Sequence, residues 1–405
     1  MRIHPGLRRF DPTATKRRIG ILTGGGDVPG LNAVIKGVVA ETEPLGYQVV
    51  GIRRGWMGLT HMRPGDQPGS ELLMALDSSN TRSIDRTGGT FLHTSRTNPR
   101  RIRKKNLPAH IDAKRAGQMA AGEDLYDLTP VVLDNIQALG LDYLITIGGD
   151  DTLSYAHVLD EKGVAVVAVP KTMDNDVPGT EYCIGFSTAI TRARELINRQ
   201  RSTLGSHERI GVFRIFGRDA GFTALYSAYV TSSRCVLPEV EFDLDDLIAA
   251  LVEDKRRNSS HYSFVIASEG AIWKDSQVSE FGEADAYGHR KKTDIGFALS
   301  QEIKARTGEE STTSDLTYDL RSGEPDMLDQ MVSLTYASMA VDQIRNGKRG
   351  LMMAVNGGRY ACVGLPKAPA RHVDIARLYD ARNFRPNYKN KLGLPLLLDE
   401  VSGPG

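Results

Sequence analysis

The sequence predicts an α/β protein built on mostly parallel sheets, and three features predict it. Short apolar, β-branched runs recur along the chain, each ends in a Gly- or Asp-rich loop, and most lead into a helix-like stretch. At roughly 150 residues per domain, the 405 residues allow two or three folding units with sizeable buried cores. Residues 19–22 precede Thr23-Gly-Gly-Gly-Asp-Val-Pro-Gly30, with a helix expected from about Leu31. Residues 143–147 precede Gly148-Gly-Asp-Asp-Thr152 and a helix through Tyr155 and Val158. Residues 164–169 run into Pro170-Lys-Thr-Met-Asp-Asn-Asp176, residues 210–215 into Phe216-Gly-Arg-Asp-Ala-Gly221, and residues 264–267 into Ser268-Glu-Gly270. In open α/β sheets ligands bind at the carboxyl ends of strands, so these loops are expected to converge on one cleft or on two facing clefts.

Composition narrows the partners. Lys plus Arg number 51 against 50 Asp plus Glu, a net charge of +1, which supplies no global field for nucleic acid or for a membrane surface. Any anion must be held by a local site. The six Lys and Arg between Arg96 and Lys105 have no interleaved aromatic residues, so they read as a solvated face and not as a nucleic-acid patch. No apolar run approaches the roughly 18 residues that cross a bilayer, and the first residues lack a signal-peptide apolar stretch. A cytoplasmic location is the expectation. Three cysteines, Cys183, Cys235 and Cys362, stand far apart, which fits reduced thiols better than a disulfide frame or a zinc site. Residues 64–70 and 275–293 read as surface excursions, rich in turn formers and polar residues.

The loops carry the chemistry. Three glycines and Asp27 between a strand and a helix offer bare backbone N–H groups to an anion such as phosphate, although the spacing matches neither the dinucleotide fingerprint nor the P-loop. Asp150 and Asp151 read equally well as oxygen ligands for Mg²⁺ or as a helix N-cap. Asp174 and Asp176, beside Lys171 and Thr172, form a set suited to taking a proton from a hydroxyl; the alternative is an Asx-type turn before Pro178-Gly179. Arg209, Arg218 and Arg321 offer planar forks for phosphate oxygens, and Glu269 can accept hydrogen bonds from sugar hydroxyls.

With these residues laid out, the chain resembles the 6-phosphofructokinase family from about Arg18 to the region of Asn356, with motifs in the family's order. Residues 23–32 resemble its first phosphate loop, Gly88 to Arg96 its second, and residues 148–152 its metal loop. Residues 170–176 resemble its catalytic loop, while Ser206 to Arg209, Phe216-Gly-Arg218, Ser268-Glu269 and Tyr318-Asp-Leu-Arg321 resemble its sugar-phosphate contacts. The resemblance implies two similar three-layer lobes with the active-site cleft between them. One lobe would comprise residues 16–186 plus about 322–358, and the other about 187–321 plus 359–405.

Residue by residue, the resemblance implies that Asp174 takes the proton from the 1-hydroxyl of fructose 6-phosphate and that Asp150 anchors Mg²⁺. Thr172 and Asp176 would orient the hydroxyl and the transferring phosphoryl group, and Gly25, Gly26, Arg96 and Lys171 would bind the donor. Phe216, Gly217, Arg218 and Glu269 would bind the sugar, and Tyr318 with Arg321 the 6-phosphate. Arg209 would reach a neighbouring subunit's site, which implies a homodimer or homotetramer.

Members of this family that use ATP have glycine at the position of Asp151, whereas those that use inorganic pyrophosphate have aspartate there and lysine at the position of Lys171. A carboxylate where a nucleotide's α-phosphate would lie costs roughly 4 kcal/mol, taking two unit charges about 4 Å apart at an effective dielectric near 20. The expected donor is therefore pyrophosphate, in a reversible reaction. An ATP-dependent phosphofructokinase is the nearest alternative, and a noncatalytic regulatory subunit of the same fold a more distant one. The chain also departs from the family's pattern: Phe216 stands where methionine is common, Tyr318 where ATP users have histidine, and Thr312 where an adjacent subunit's arginine grips the 6-phosphate. Lys304 and Arg306 are the candidates to replace that arginine.

Overall fold

Five buried apolar runs become parallel strands because both of their faces are covered, which removes the need for a polar alternation. The computed structural model describes residues 17–274, 280–281, 291–292, 294–367, 369–399 and 401. In chain order the strands of the two main sheets are β1 (Arg18–Thr23), β2 (Gln48–Ile52), β3 (Leu73–Leu76), β4 (Tyr143–Gly148), β5 (Val166–Pro170), β6 (Ile210–Ile215), β7 (Arg234–Val236), β8 (Ser263–Ser268), β9 (Ser311–Asp315), β10 (Leu351–Asn356) and β11 (Arg359–Gly364). One seven-stranded sheet has the order β11-β10-β5-β4-β1-β2-β3, and one four-stranded sheet the order β7-β8-β6-β9. The small sheet is wholly parallel; the large one is parallel except at its edges, where β3 runs against β2 and β11 against β10.

Helices α1 (Leu31–Thr42), α2 (Asp150–Glu161), α3 (Phe186–Ser206), α4 (Phe222–Thr231) and α5 (Met327–Arg345) cover the sheet faces near the cleft. α3 buries Phe186, Ala189, Ala193 and Ile197, a single stripe at helical spacing. Through that stripe one buried cluster runs from Ile19, Ile145 and Val167 of the large sheet to Phe213 and Ile266 of the small one. The lobes thus share a core. The buried Asp329 of α5 ties the start of α3 in place, accepting hydrogen bonds from Gly185 N (2.8 Å), Thr188 N (2.8 Å), Thr188 Oγ1 (2.5 Å) and Tyr182 Oη (2.5 Å).

Just past the lobe boundary expected near residue 358, residues 359–364 form β11, paired with β10 at the edge of the large sheet, and Gly357 and Gly358 make the tight turn between them, their N–H groups donating to the buried Glu181 carboxylate at 2.6 and 2.9 Å. Residues 64–70 form a surface turn as expected, whereas the excursion expected at 275–293 lies mostly outside the described residues. Cys183 and Cys235 are buried free thiols and Cys362 an exposed one. No helix among the described residues is long and apolar enough to cross a membrane.

Candidate active site

The carboxyl ends of β1, β4 and β5 from one sheet and β6 and β8 from the other open into one cleft of about 240 Å³. On the large-sheet side, Gly24 N donates to Ile147 O (2.9 Å), Gly25 N to Ser95 O (3.1 Å), and Thr94 Oγ1 to Gly25 O (2.6 Å), which stitches the loop after β1 to the segment ending at Arg96. At Gly24 the neighbours leave no room, since a Cβ would sit 2.5 Å from Thr152 Oγ1, whereas one on Gly26 would meet an Arg321 nitrogen at 2.8 Å and push that long side chain aside. Gly25, Gly26, Arg96 and Lys171 line this part of the cleft together. Arg96 also lines an adjoining pocket of about 620 Å³ with Arg101, Arg103 and Lys105, so the basic stretch is a solvated face with a cavity in it.

The helix-cap alternative for Asp150 and Asp151 falls away by one residue of register. Gly149 is the N-cap of α2, no side chain caps that helix, and both aspartates occupy its first turn, lining the cleft.

The loop after β5 divides its labour. Asn175, with φ 54°, makes the turn: its side-chain amide donates to Glu181 O (2.9 Å) and its side-chain oxygen accepts from Cys183 N (2.8 Å). The Asx role expected as the alternative for the aspartates therefore falls to the buried Asn175, and Asp174 and Asp176 line the cleft. Asp174 N donates to Thr172 Oγ1 (3.1 Å), while Asp174 Oδ1 is a buried oxygen with no hydrogen-bond partner among the described residues. Burial, reinforced by Asp176, Glu269 and Asp150, holds the Asp174 carboxyl well above the usual carboxylate range, with Arg321 opposing. Burial, with Asp150 and Asp219, likewise raises Asp176 against the pull of Lys171. Lys171 is 4% exposed; burial first, then Arg321 and Arg96, push its ammonium down to about 8, with Asp150 and Asp27 opposing.

On the small-sheet side Phe216, Arg218, Asp219 and Glu269 form the wall. Glu269 is paired with Arg214 at 3.3 Å, and Arg214 pairs with Asp315 at 2.7 Å. The Arg321 guanidinium stacks 4.4 Å from the Phe216 ring centre and lies 3.9 Å from Asp27, so it spans the small-sheet wall and the glycine loop. Two expected sugar contacts lie outside the wall. Gly217 is buried, its carbonyl accepting from Ser268 Oγ (2.6 Å) and Gly270 N (3.0 Å), and Tyr318 is 80% exposed. Arg209 precedes β6, roughly 20 Å of strand from its carboxyl end, and Thr312 sits near the amino end of β9, roughly 10 Å of strand from its carboxyl end. Lys304 pairs with Glu310 (2.9 Å) and Arg306 with Glu302 (2.9 Å) and Asp245 (2.5 Å), so neither reaches this cleft. Trp56 is core, packed edge-on against Tyr155 with centroids 4.8 Å apart.

Sequence reasoning missed Arg214, Asp219 and the C-terminal residue Ala370, which also lines the cleft. Only Arg214 carried a readable signal: a lone charge inside the apolar run 210–215 needs a partner once buried. Among the described residues no three His, Cys, Asp or Glu side chains form a metal cage.

The Phosphofructokinase family model matches residues 18–344. The chain is 37% identical over 358 residues to the pyrophosphate--fructose 6-phosphate 1-phosphotransferase of Streptomyces coelicolor, covering 87% of this chain and 95% of that one. It is 34% identical over 354 residues to ATP-dependent 6-phosphofructokinase 3 of the same organism, covering 87% and 94%. The pyrophosphate-dependent phosphofructokinase structure from Nitrosospira multiformis superposes with a TM-score of 0.72 at 16% identity, covering 96% of this chain and 93% of that one. Sequence match, sheet topology and interlobe cleft agree: the chain belongs to the phosphofructokinase family of phosphotransferases.

Proposed function

We propose that the protein moves a phosphoryl group from inorganic pyrophosphate to the 1-hydroxyl of fructose 6-phosphate, giving fructose 1,6-bisphosphate and phosphate, in a reversible reaction. The observation that carries the donor reading is Asp151 in the first turn of α2, a second carboxylate at the donor end of the cleft, accompanied by the buried Lys171. A relative named for pyrophosphate and one named for ATP lie at similar identity, so the donor rests on these two residues.

Asp174 is the base. Its buried oxygen, without a partner among the described residues, is suited to accept the hydroxyl proton, and its raised proton affinity makes it a stronger base than a solvated carboxylate. Thr172 Oγ1 holds the backbone of Asp174, and Asp176 stands beside it to orient the transferring group. Lys171, Arg96 and the glycine loop bind the donor; Arg218, Glu269 and Arg321 bind the sugar phosphate. Asp150 is the residue that would hold Mg²⁺, which when bound would supply positive charge to offset that of the donor's phosphates. The donor set fits that ion, because Mg²⁺ is ordinarily held by one or two carboxylates plus substrate phosphates, and the carboxylates here already repel one another. Arg209, far along β6 from its own cleft, is assigned to the site of a second copy of the chain, in a homodimer or homotetramer.

Two expected results test this reading. The pyrophosphate kcat/KM should fall as pH rises through about 8, because Lys171 then loses the charge that binds the donor. Lys171→Arg, which does not titrate there, should carry that alkaline limb to higher pH; an unmoved limb in the variant would detach Lys171 from donor binding. Separately, a Cβ on Gly270 would lie 1.8 Å from Arg218 O, so Gly270→Ala must displace the Arg218 loop. The expected outcome is a KM for fructose 6-phosphate raised by about tenfold or more with an unchanged circular dichroism spectrum; an unchanged KM would remove Arg218 from the sugar site.

A further inference from the structure

The family match ends at residue 344, yet a segment from the far C-terminus lies against the catalytic loop. Arg371 N donates to Asp176 O at 2.7 Å. The Arg371 side chain, only 12% exposed, donates to Thr180 O and pairs with the equally buried Asp399 carboxylate, while its guanidinium lies 5.0 Å from the Phe222 ring centre at the start of α4. One residue on, the His372 ring bonds Asp219 O (2.9 Å), and Val373 N donates to Glu239, the same carboxylate oxygen that accepts from Gly221 N. One short strap therefore grips the loop of Asp174 and Asp176 from the large-sheet side and the loop of Arg218 and Asp219 from the small-sheet side, and Ala370 adds to the wall of the cleft between them.

We propose that Arg371 and Asp399 are positioning residues for phosphoryl transfer: their buried ion pair locks the C-terminal strap onto the catalytic loop and fixes the distance between base and sugar across the interlobe cleft. The inference rests on Asp174 being the base. A planar guanidinium suits the task because it can donate to a backbone carbonyl, pair with a carboxylate and stack on an aromatic face at once, which an ammonium cannot. Misplacement of a reacting group by about 1 Å costs roughly 10²-fold in rate, so a loosened strap acts on kcat before it acts on substrate affinity.

Purified full-length Arg371→Met, Asp399→Leu, the double variant and Arg371→Lys are compared with the wild type by steady-state kinetics with pyrophosphate and by thermal melting. Arg371→Met takes the buried guanidinium away from the Asp399 carboxylate and should lower both Tm and kcat, kcat by about 10- to 100-fold, with the KM for fructose 6-phosphate within about threefold. The double variant removes both charges, so Tm should recover while kcat stays low. Arg371→Lys, which keeps the charge and tests the inference if Arg371→Met does not fold, should lie between. The acid limb of the kcat profile should move to lower pH in the variants, because a loosened loop admits water to Asp174 and Asp176 and relieves the burial that holds them up; the charged groups facing the pair, Asp150, Lys171, Asp219, Glu269 and Arg321, are unchanged. Recovery of kcat together with Tm in the double variant, or an unmoved acid limb, would reduce the clamp to a structural role and overturn the inference. Asp174→Asn is the control: if that variant turns over like wild type, the failure belongs to the base assignment and not to the clamp alone.

Discussion

Replacing Asp174 with asparagine is expected to lower kcat by about 10²- to 10⁴-fold while leaving the binding of fructose 6-phosphate nearly unchanged. The substitution is close to isosteric, so the loop keeps its shape: Asn175 still makes the turn through Glu181 and Cys183, and Asp174 N still donates to Thr172 Oγ1. What is lost is the oxygen that can accept a proton. The effect should be confined to the chemical step, since the sugar contacts Arg218, Glu269 and Arg321 come from other elements. Pre-steady-state transfer with a direct binding isotherm separates the two quantities, and a variant with wild-type turnover would remove Asp174 from its role.

Opening the donor site to nucleotide is the second large effect. Asp151→Gly should raise kcat/KM for ATP by up to about a thousandfold, the equivalent of the roughly 4 kcal/mol of like-charge repulsion that a triphosphate's inner phosphate would meet there. The structure gives reasons for the second substitution. Lys171 is buried beside Gly25, where a Cβ would lie 3.1 Å from its ammonium, so Lys171→Gly also clears space along the donor path. The double variant should use ATP better than Asp151→Gly alone and pyrophosphate worse than wild type. If neither variant gains ATP turnover, the exclusion account fails.

The sequence revealed the parts whose physics is local. The runs that became β1, β4, β5, β6 and β8 were legible because central parallel strands are apolar on both faces, and the loops at their carboxyl ends were legible as the cleft because chain direction alone puts them on one side. The edges were not. β9, Ser-Thr-Thr-Ser-Asp, is polar because it pairs on one side only, and β11 follows a two-glycine turn whose partner, Glu181, is far away in sequence. Within the site, residue types at strand ends were readable, but roles set by one residue of register were not. Whether Asp150 caps α2 depends on Gly149 taking that position, and whether Asp174 makes a turn depends on Asn175 making it instead. Gly217 and Tyr318 sit outside the wall because side-chain direction and carbonyl use are tertiary matters. Arg371 was invisible for the same reason, since its partners are brought to it only by the complete fold.

The donor assignment is tested most directly by initial rates of fructose 6-phosphate phosphorylation by the purified wild-type chain with Mg²⁺, pyrophosphate and ATP being supplied in parallel titrations. The account predicts a kcat/KM for pyrophosphate about a thousandfold above that for ATP; an ATP value equal to or above it would contradict the reading of Asp151 on which the proposed reaction stands.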